Sequence, residues 1–83
     1  MFHCYILKSK LNSAYYVGSC KNIKVRLEQH NKFLVPVTKR YASWILVYNK
    51  EFESLREARA QELKIKSWKK RSAIEKLFKH KKF

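Results

Sequence analysis

The sequence predicts a small α+β domain, with a three-stranded mixed or antiparallel sheet flanked by helices. The chain has 83 residues, which is enough for one domain with a limited core. Hydrophobic residues make up 46% of it, a composition typical of globular proteins. Changes in hydrophobic period indicate the order β-β-α-β-α-α, which sets helices against a sheet. We assign residues 1–78 to the domain and residues 79–83 to a basic C-terminal tail.

The three strands are predicted from short runs of apolar and aromatic residues. Residues 2–7 form the first run, and residues 15–17 form the second, which Gly18 is expected to end. The polar segment between these two runs predicts a hairpin turn. Residues 44–48 (WILVY) are the most strand-like of all and are predicted to form the central strand.

The helices are predicted from a change to helical spacing and from capping patterns. Ile23, Arg26, Leu27 and His30 share one helix face, and Asn22 precedes them as an N-cap. Residues 32–42 contain the single proline and are predicted to be a loop.

Two capping boxes predict the remaining helices. The segment Ser54-Leu-Arg-Glu57 should open a helix that runs to about Trp68. The segment Ser72-Ala-Ile-Glu75 should open a short terminal helix.

The charge of the chain indicates an anionic partner. Lys and Arg number 20 against six acids, which gives a formal net charge of +14. Because a compact domain with this charge repels itself, nucleic acid is favoured over a structural role in a larger complex or binding to anionic lipid. The residues expected to contact the phosphate backbone of nucleic acid are Lys21, Lys24, Lys39, Arg40, Lys66, Lys69, Lys70 and Arg71.

The cysteines and the hydropathy favour a reducing cytoplasm. Cys4 and Cys20 are too few for a disulfide scaffold and lack the Cys-x-x-Cys spacing of structural zinc sites. No apolar run approaches the roughly 20 residues that span a bilayer, and no secretory signal is evident, so no membrane association is expected.

Arg26 and His30 are candidates for chemistry because they project from one partly apolar helix face. An arginine facing inward requires an anion, and guanidinium matches the geometry of a phosphate. A histidine one turn away can move protons near neutral pH. The alternative is a solvated basic face on which His30 caps the end of the helix.

Glu62 is a candidate ligand for a divalent cation. It lies on the same side of its helix as three apolar residues, namely Leu55, Ala58 and Ile65. A carboxylate in such a setting needs a partner, either a hard cation or an ion pair with Lys66 or Arg59. A two-metal site needs several clustered carboxylates, and because all six acids are Glu and only Glu62 has this setting, one metal ion is favoured.

Strand alternation places Tyr15 and Tyr16 on opposite faces of the sheet, so that one can join the core and the other can face a groove. A phenol assists proton transfer when a cation lowers its pKa. The alternative is a packed tyrosine with a satisfied hydroxyl.

The joint spacing of these residues resembles the GIY-YIG nuclease family. The first segment is Tyr16-Val17-Gly18, followed at fixed spacing by Arg26, His30 and Asn31; the second is Glu57-Ala58-x3-Glu62-x3-Lys66-x-Trp68. The resemblance covers residues 2–77 and is strongest to small stand-alone members related to the nuclease domain of bacterial excinuclease C.

The chain departs from the family pattern in its first motif. His3-Cys4-Tyr5 stands where the family has Gly-Ile-Tyr, so that only the tyrosine is kept. This departure leaves open whether His3 or Cys4 tunes the site. Val17 in place of isoleucine is a mild change.

The resemblance implies a metal-dependent endonuclease that leaves a 3′-hydroxyl and a 5′-phosphate. The implied catalytic residues are Tyr5, Tyr16, Arg26, His30 and Glu62, with Glu62 as the single protein ligand of one Mg²⁺ or Mn²⁺. Tyr5, or with less support Tyr16, would assist deprotonation of the attacking water, Arg26 would bind the scissile phosphate, and His30 would accept or relay a proton.

The same resemblance bears on substrate and partners. DNA is favoured over RNA, with a role in DNA repair, and a partner protein is expected to supply targeting. The alternative function is a non-catalytic nucleic-acid-binding module on the same fold. Substrate structure and oligomeric state stay open at this point.

Overall fold

A computed structural model describes residues 1–32 and 41–79 of the chain. The elements are β1 (Phe2–Ser9), β2 (Tyr15–Cys20), α1 (Ile23–Asn31), β3 (Trp44–Phe52), α2 (Leu55–Ser67) and α3 (Arg71–Glu75). Their order and the α+β class are those predicted from the sequence. Most of the predicted loop over residues 32–42, and all but Lys79 of the predicted tail, lie outside the described residues.

The three strands form an antiparallel sheet in the order β2-β1-β3. The prediction that residues 44–48 form the central strand is therefore wrong, because β1 lies between the other two strands. Four consecutive β1 residues, Cys4 to Leu7, are at most 1% exposed. The β3 residues Ile45 and Leu46 are instead exposed, which is typical of an edge strand with one free side.

The β1–β2 hairpin sets Tyr5 directly opposite Gly18. The prediction that Gly18 ends its strand is wrong, because β2 continues to Cys20. In the turn, the hydroxyl of Ser9 accepts hydrogen bonds from the backbone N–H groups of Leu11 and Asn12, at 3.0 and 3.3 Å. Ser9 is fully buried and fixes the geometry of the turn.

Helices cover both faces of the sheet. On one face, Cys4, Ile6 and Val17 pack against Ile65 of α2. On the other face, the cluster of Tyr5, Leu7 and Trp44 packs against α1. The α1 side chains in contact with this cluster are Ile23 and Leu27. The two helices that carry the candidate residues Arg26 and Glu62 therefore lie on opposite sides of the sheet.

Two of the three predicted helix starts are confirmed. Asn22 Oδ1 accepts the N–H of Val25 at 3.1 Å, and Ser54 Oγ accepts the N–H of Glu57 at 3.2 Å. The prediction that Ser72 caps the last helix is wrong: α3 begins at Arg71 without a side-chain cap. In a capping box the carboxylate of Glu75 would bind the backbone N–H of the N-cap residue. Here it instead accepts a hydrogen bond from the hydroxyl of Tyr15 at 2.7 Å.

Asn31 joins the end of α1 to the start of β3. Its Nδ2 donates to the carbonyl of Trp44 at 3.0 Å, and its Oδ1 accepts the N–H of Trp44 at 2.5 Å. These two bonds fix α1 against the sheet. In the part of the chain that the structure describes, no helix combines the length and apolarity needed to cross a bilayer.

Candidate active site

A polar cavity of about 190 Å³ opens at the β2 edge of the sheet. This volume is large enough to admit a phosphate group. The residues that line it are Tyr5, Tyr16, Gly18, Ser19, Arg26, Arg59 and Glu62. Four of the five catalytic candidates therefore share one cavity.

The cavity receives side chains from both faces of the sheet. Arg26 comes from α1 and Glu62 from α2, on opposite faces, and they meet because β2 is an edge strand. Alternation along β2 directs Tyr16 to the α1 face, whereas Ser19 contacts Glu62 of α2. The carboxyl of Glu62 is thus not separated from Arg26 by the sheet.

Gly18 keeps the cavity open because the ring of Tyr5 passes directly over it. A Cβ atom at this position would lie 2.6 Å from the Tyr5 hydroxyl oxygen and 2.8 Å from its Cζ. Both distances are shorter than real carbon contacts, and Tyr5 is too deeply buried to move aside. The glycine is required here by close packing in a strand, not by a turn.

Tyr5, His30 and Arg26 form a hydrogen-bonded chain at the base of the cavity. The Tyr5 hydroxyl oxygen lies 3.0 Å from His30 Nε2 and accepts a longer bond of 3.4 Å from Arg26 Nε. His30 does not line the cavity; it lies fully buried behind Tyr5. The alternative interpretation, in which His30 is exposed to solvent and caps the end of α1, is therefore wrong.

Burial sets the protonation of this chain. It raises the pKa of Tyr5 to about 12, although the hydrogen bond from Arg26 acts in the opposite direction. Burial, followed by the positive charge of Arg26, lowers the pKa of His30 to about 4. At neutral pH the phenol is therefore protonated and the imidazole neutral, so that Tyr5 can donate to Nε2 of His30.

Arg26 has polar but no acidic neighbours among residues 1–32 and 41–79. Its Nη1 donates to Gln29 Oε1 at 3.0 Å, and its Nε reaches Tyr5. No carboxylate oxygen of the described residues lies within 4.0 Å of its guanidinium. The charge of Arg26 is thus available to an incoming anion.

The carboxylate of Glu62 is held on the cavity wall by two bonds. Oε1 accepts the hydroxyl of Ser19 at 2.6 Å, and Oε2 pairs with Nζ of Lys66 at 2.6 Å. Of the two ion-pair partners considered from the sequence, Lys66 makes the contact and Arg59 does not. The Glu62 side chain keeps 18% of its surface exposed, so its oxygens remain accessible from the cavity.

The two adjacent tyrosines of β2 have different surroundings. Tyr16 lies on the cavity side, with its ring centroid 5.0 Å from that of His30 and 6.4 Å from that of Tyr5. Tyr15 lies on the other face, where it binds Glu75 and packs against Phe78 with ring centroids 5.6 Å apart. Tyr16 is the one of the pair placed for chemistry.

His3 and Cys4, which stand in the altered first motif, do not line the cavity. Nδ1 of His3 lies 2.7 Å from Oδ1 of Asn49 on β3. Cys4 is buried in the core across from Ser19, and burial raises the pKa of its thiol to about 11. Among the described residues, neither side chain forms a hydrogen bond with a predicted catalytic group, although the charge of Glu62 adds to the effect of burial in raising the pKa of Cys4.

The predicted nucleic-acid-binding residues fall into three groups. Those exposed without an acidic partner among the described residues are Lys21, Lys24, Lys69 and Lys70. Lys66 is paired with Glu62, and the Arg71 guanidinium lies 4.3 Å from the Tyr15 ring centroid and 3.5 Å from Glu75. Lys39 and Arg40 lie outside the described residues.

Sequence reasoning missed two residues of the cavity, Ser19 and Arg59. Ser19 follows Gly18 directly, and strand alternation alone predicts that it faces α2, but only the tertiary structure brings Glu62 to it. Arg59 was considered from the sequence only as an ion-pair partner of Glu62. Their place in the cavity depends on how α2 packs along β2.

The fold and the cavity define a small α+β domain in which tyrosines, an arginine and a carboxylate share one site. The chain matches the model of the GIY-YIG catalytic domain over residues 1–77, and it belongs to this family. Neither a search of curated proteins nor a search of solved structures gave a significant match.

Proposed function

We propose that this protein is an endonuclease that hydrolyses phosphodiester bonds with one divalent cation bound at Glu62. We favour DNA over RNA as its substrate. The observation that carries the proposal is the single cavity shared by Tyr5, Tyr16, Arg26 and Glu62. Membership of the family supports nuclease chemistry in general. The charge of +14 supports an anionic polymer as substrate.

The residues at Glu62 fit a hard cation such as Mg²⁺ or Mn²⁺. A carboxylate oxygen is the donor that such ions prefer, and Ser19 holds this one in place. Among residues 1–32 and 41–79, no three His, Cys, Asp or Glu side chains are close enough to hold a metal ion together. The remaining ligands would be water and phosphate oxygens, and when bound the cation would stabilise negative charge on the leaving oxygen.

The proton of the attacking water would leave through Tyr5. The Tyr5 hydroxyl accepts a proton from water while it passes its own proton to Nε2 of His30, 3.0 Å away. His30 is neutral at the pH of catalysis because burial lowers its pKa to about 4, which leaves Nε2 unprotonated but weakly basic, so His30 would relay this proton and not hold it. Tyr16, on the same wall, orients the water.

Arg26 would bind the phosphate and oppose the charge that develops on it. No carboxylate of the described residues neutralises its guanidinium, and the cavity excludes bulk water on the side of Tyr5. A fixed positive charge in such a setting stabilises the transition state more than the ground state.

The first prediction concerns Glu62→Gln. This change should abolish Mg²⁺- or Mn²⁺-dependent cleavage, because the amide is a poor ligand, while binding to nucleic acid is kept or slightly tightened. The measurement uses labelled duplex, branched and single-stranded DNA and RNA, each with Mg²⁺, Mn²⁺ or EDTA. Glu53→Gln, an exposed residue before α2, makes the same charge change and should cleave normally.

Two results would contradict this proposal. Cleavage that persists in EDTA would show that no divalent cation is needed. Equal cleavage by the Glu62→Gln and Glu53→Gln proteins would show that Glu62 takes no part in the reaction. Binding without cleavage of any substrate by the unaltered protein would favour the alternative, a nucleic-acid-binding module that keeps the fold.

The proposal includes a cytoplasmic location and a role in DNA repair, with targeting by a partner protein. Cys4 and Cys20 are free thiols that belong to clusters on opposite faces of the sheet, which suits a reducing compartment.

A further inference from the structure

Arg59 is the one residue of the cavity wall to which the proposed reaction assigns no task. It belongs to α2, one turn before Glu62, and it is exposed. At this spacing an arginine on a helix surface commonly pairs with the glutamate. Here Glu62 instead contacts Ser19 and Lys66, and no ion pair between Glu62 and Arg59 forms.

The charge of Arg59 is therefore not compensated within the described part of the chain, where no carboxylate oxygen lies within 4.0 Å of it. The cavity wall carries two arginines against one carboxylate, and that carboxylate is itself paired with Lys66. A cavity of about 190 Å³ with this charge balance attracts an anion of the size of a phosphate group.

We infer that Arg59 is a second phosphate-binding residue. It binds the scissile phosphodiester from the α2 side of the sheet, and Arg26 binds it from the α1 side. The inference rests on the proposed function and names a residue for substrate binding in that same cavity. Because β2 is the edge strand between the two helices, the phosphodiester crosses the sheet at this edge, where both helices contribute an arginine to the cavity wall.

The two arginines differ in their surroundings and therefore in their tasks. Arg26 is held by Tyr5 and Gln29 and is half-buried, so its position is fixed before substrate arrives. Arg59 is exposed and has no such support among the described residues. It contributes to binding of the ground state, whereas Arg26 contributes to the transition state.

The test compares Arg59→Ala with Arg56→Ala, a matched change to an exposed arginine of the same helix that does not line the cavity. Binding of a labelled DNA oligonucleotide is measured in EDTA, and kcat and KM are measured with Mg²⁺. Arg59→Ala should weaken binding about tenfold more than Arg56→Ala, the effect expected for loss of a charge-assisted hydrogen bond. KM should rise by a similar factor, with kcat changed less than about twofold, and Arg59→Lys should recover most of the loss.

Equal effects of Arg59→Ala and Arg56→Ala on binding would overturn the inference, and so would a loss confined to kcat. Because the binding measurement contains no metal, it remains decisive even if the unaltered protein cleaves nothing. Conversely, if metal-dependent cleavage is lost in Glu62→Gln but Arg59→Ala changes neither binding nor KM, the role of Arg59 is overturned and the proposed nuclease function stands.

Discussion

Tyr5 is both a core side chain of the central strand and a wall of the cavity. Only 1% of it is exposed, yet its hydroxyl reaches the cavity base, where Arg26 and His30 supply hydrogen-bond partners. A buried hydroxyl without partners would destabilise the fold by roughly 1–3 kcal/mol. The same two bonds that stabilise the core therefore also orient the groups that we propose to be catalytic.

The candidate residues could be identified from their spacing in the sequence. Their burial and their contacts with one another could not be predicted in this way. The interval between Arg26 and His30 predicts one helix face, whereas the burial of His30 behind Tyr5 depends on how α1 packs on the sheet. For Arg59, the sequence offered Glu62 as the nearest partner. In the structure Glu62 contacts Ser19 and Lys66, and no carboxylate of the described residues pairs with Arg59.

The second prediction concerns the pH dependence of stability. The pKa of His30 is lowered from 6.5 to about 4 in the folded protein. As the pH falls below 6.5, the unfolded chain binds a proton that the folded protein does not, so the free energy of unfolding decreases until about pH 4. The total loss should be on the order of 3 kcal/mol. Urea unfolding between pH 7 and pH 5 measures roughly half of this loss, before most carboxylates titrate.

The control for this prediction separates His30 from His3, the histidine at the start of β1. His30→Gln should flatten the decrease between pH 7 and pH 5, whereas His3→Gln should leave it in place. A decrease of equal size in all three proteins would show that another group is responsible.

At the scale of elements, strand composition predicted three strands but not their neighbours. The run at residues 44–48 is more strand-like than the first strand, yet it occupies an edge, with Ile45 and Leu46 exposed. Strand propensity reports how a residue fits a pleated surface and carries no information on which strands flank it. The central position of β1 follows from its pairing with both β2 and β3.

The last helix shows the same limit of local patterns. Ser72 and Glu75 have the spacing of a capping box, but Glu75 is drawn away by Tyr15, Arg71 and Lys79. A contact 60 residues apart in sequence thus prevails over a local one. The other caps, Asn22 and Ser54, form as predicted.

The third prediction concerns Asn31, which links α1 to β3 through the backbone of Trp44. Asn31→Ala removes both bonds and should lower the free energy of unfolding by about 2 kcal/mol. Asn31→Asp keeps an acceptor for the N–H of Trp44 but loses the donor to its carbonyl, so its effect should be intermediate. Thermal or urea unfolding measures both. An Asn31→Ala protein as stable as the original would show that α1 is held by its apolar contacts alone.

At the scale of the whole molecule, the charge of +14 belongs to a chain whose fold is only 30 × 28 × 24 Å in extent. Composition alone predicted this excess, because charge is a sum over residues and needs no fold. The placement of the cavity at a sheet edge could not be predicted in this way. It results from two helices on opposite faces meeting around β2.

The fourth prediction concerns salt. If about four phosphates are contacted, affinity for duplex DNA should fall on the order of a hundredfold between 50 and 200 mM salt. Replacing both Lys21 and Lys24 by Gln should reduce the slope of log affinity against log salt by about two. Lys10→Gln, in the hairpin turn, should leave the slope unchanged. A salt-independent affinity would exclude phosphate contacts as the main source of binding.

The pairing of Tyr5 with Gly18 ties the cavity to the hairpin at the opposite end of the same two strands. A shift of one residue between β1 and β2 would exchange the faces of Tyr16 and Ser19 and bring Val17 or Ser19, in place of Gly18, opposite Tyr5. The turn after Ser9, which two hydrogen bonds to the Ser9 hydroxyl stabilise, contributes to fixing this register. Lengthening or shortening this turn by a single residue would thus dismantle the cavity from a distance, even in a protein that still folds.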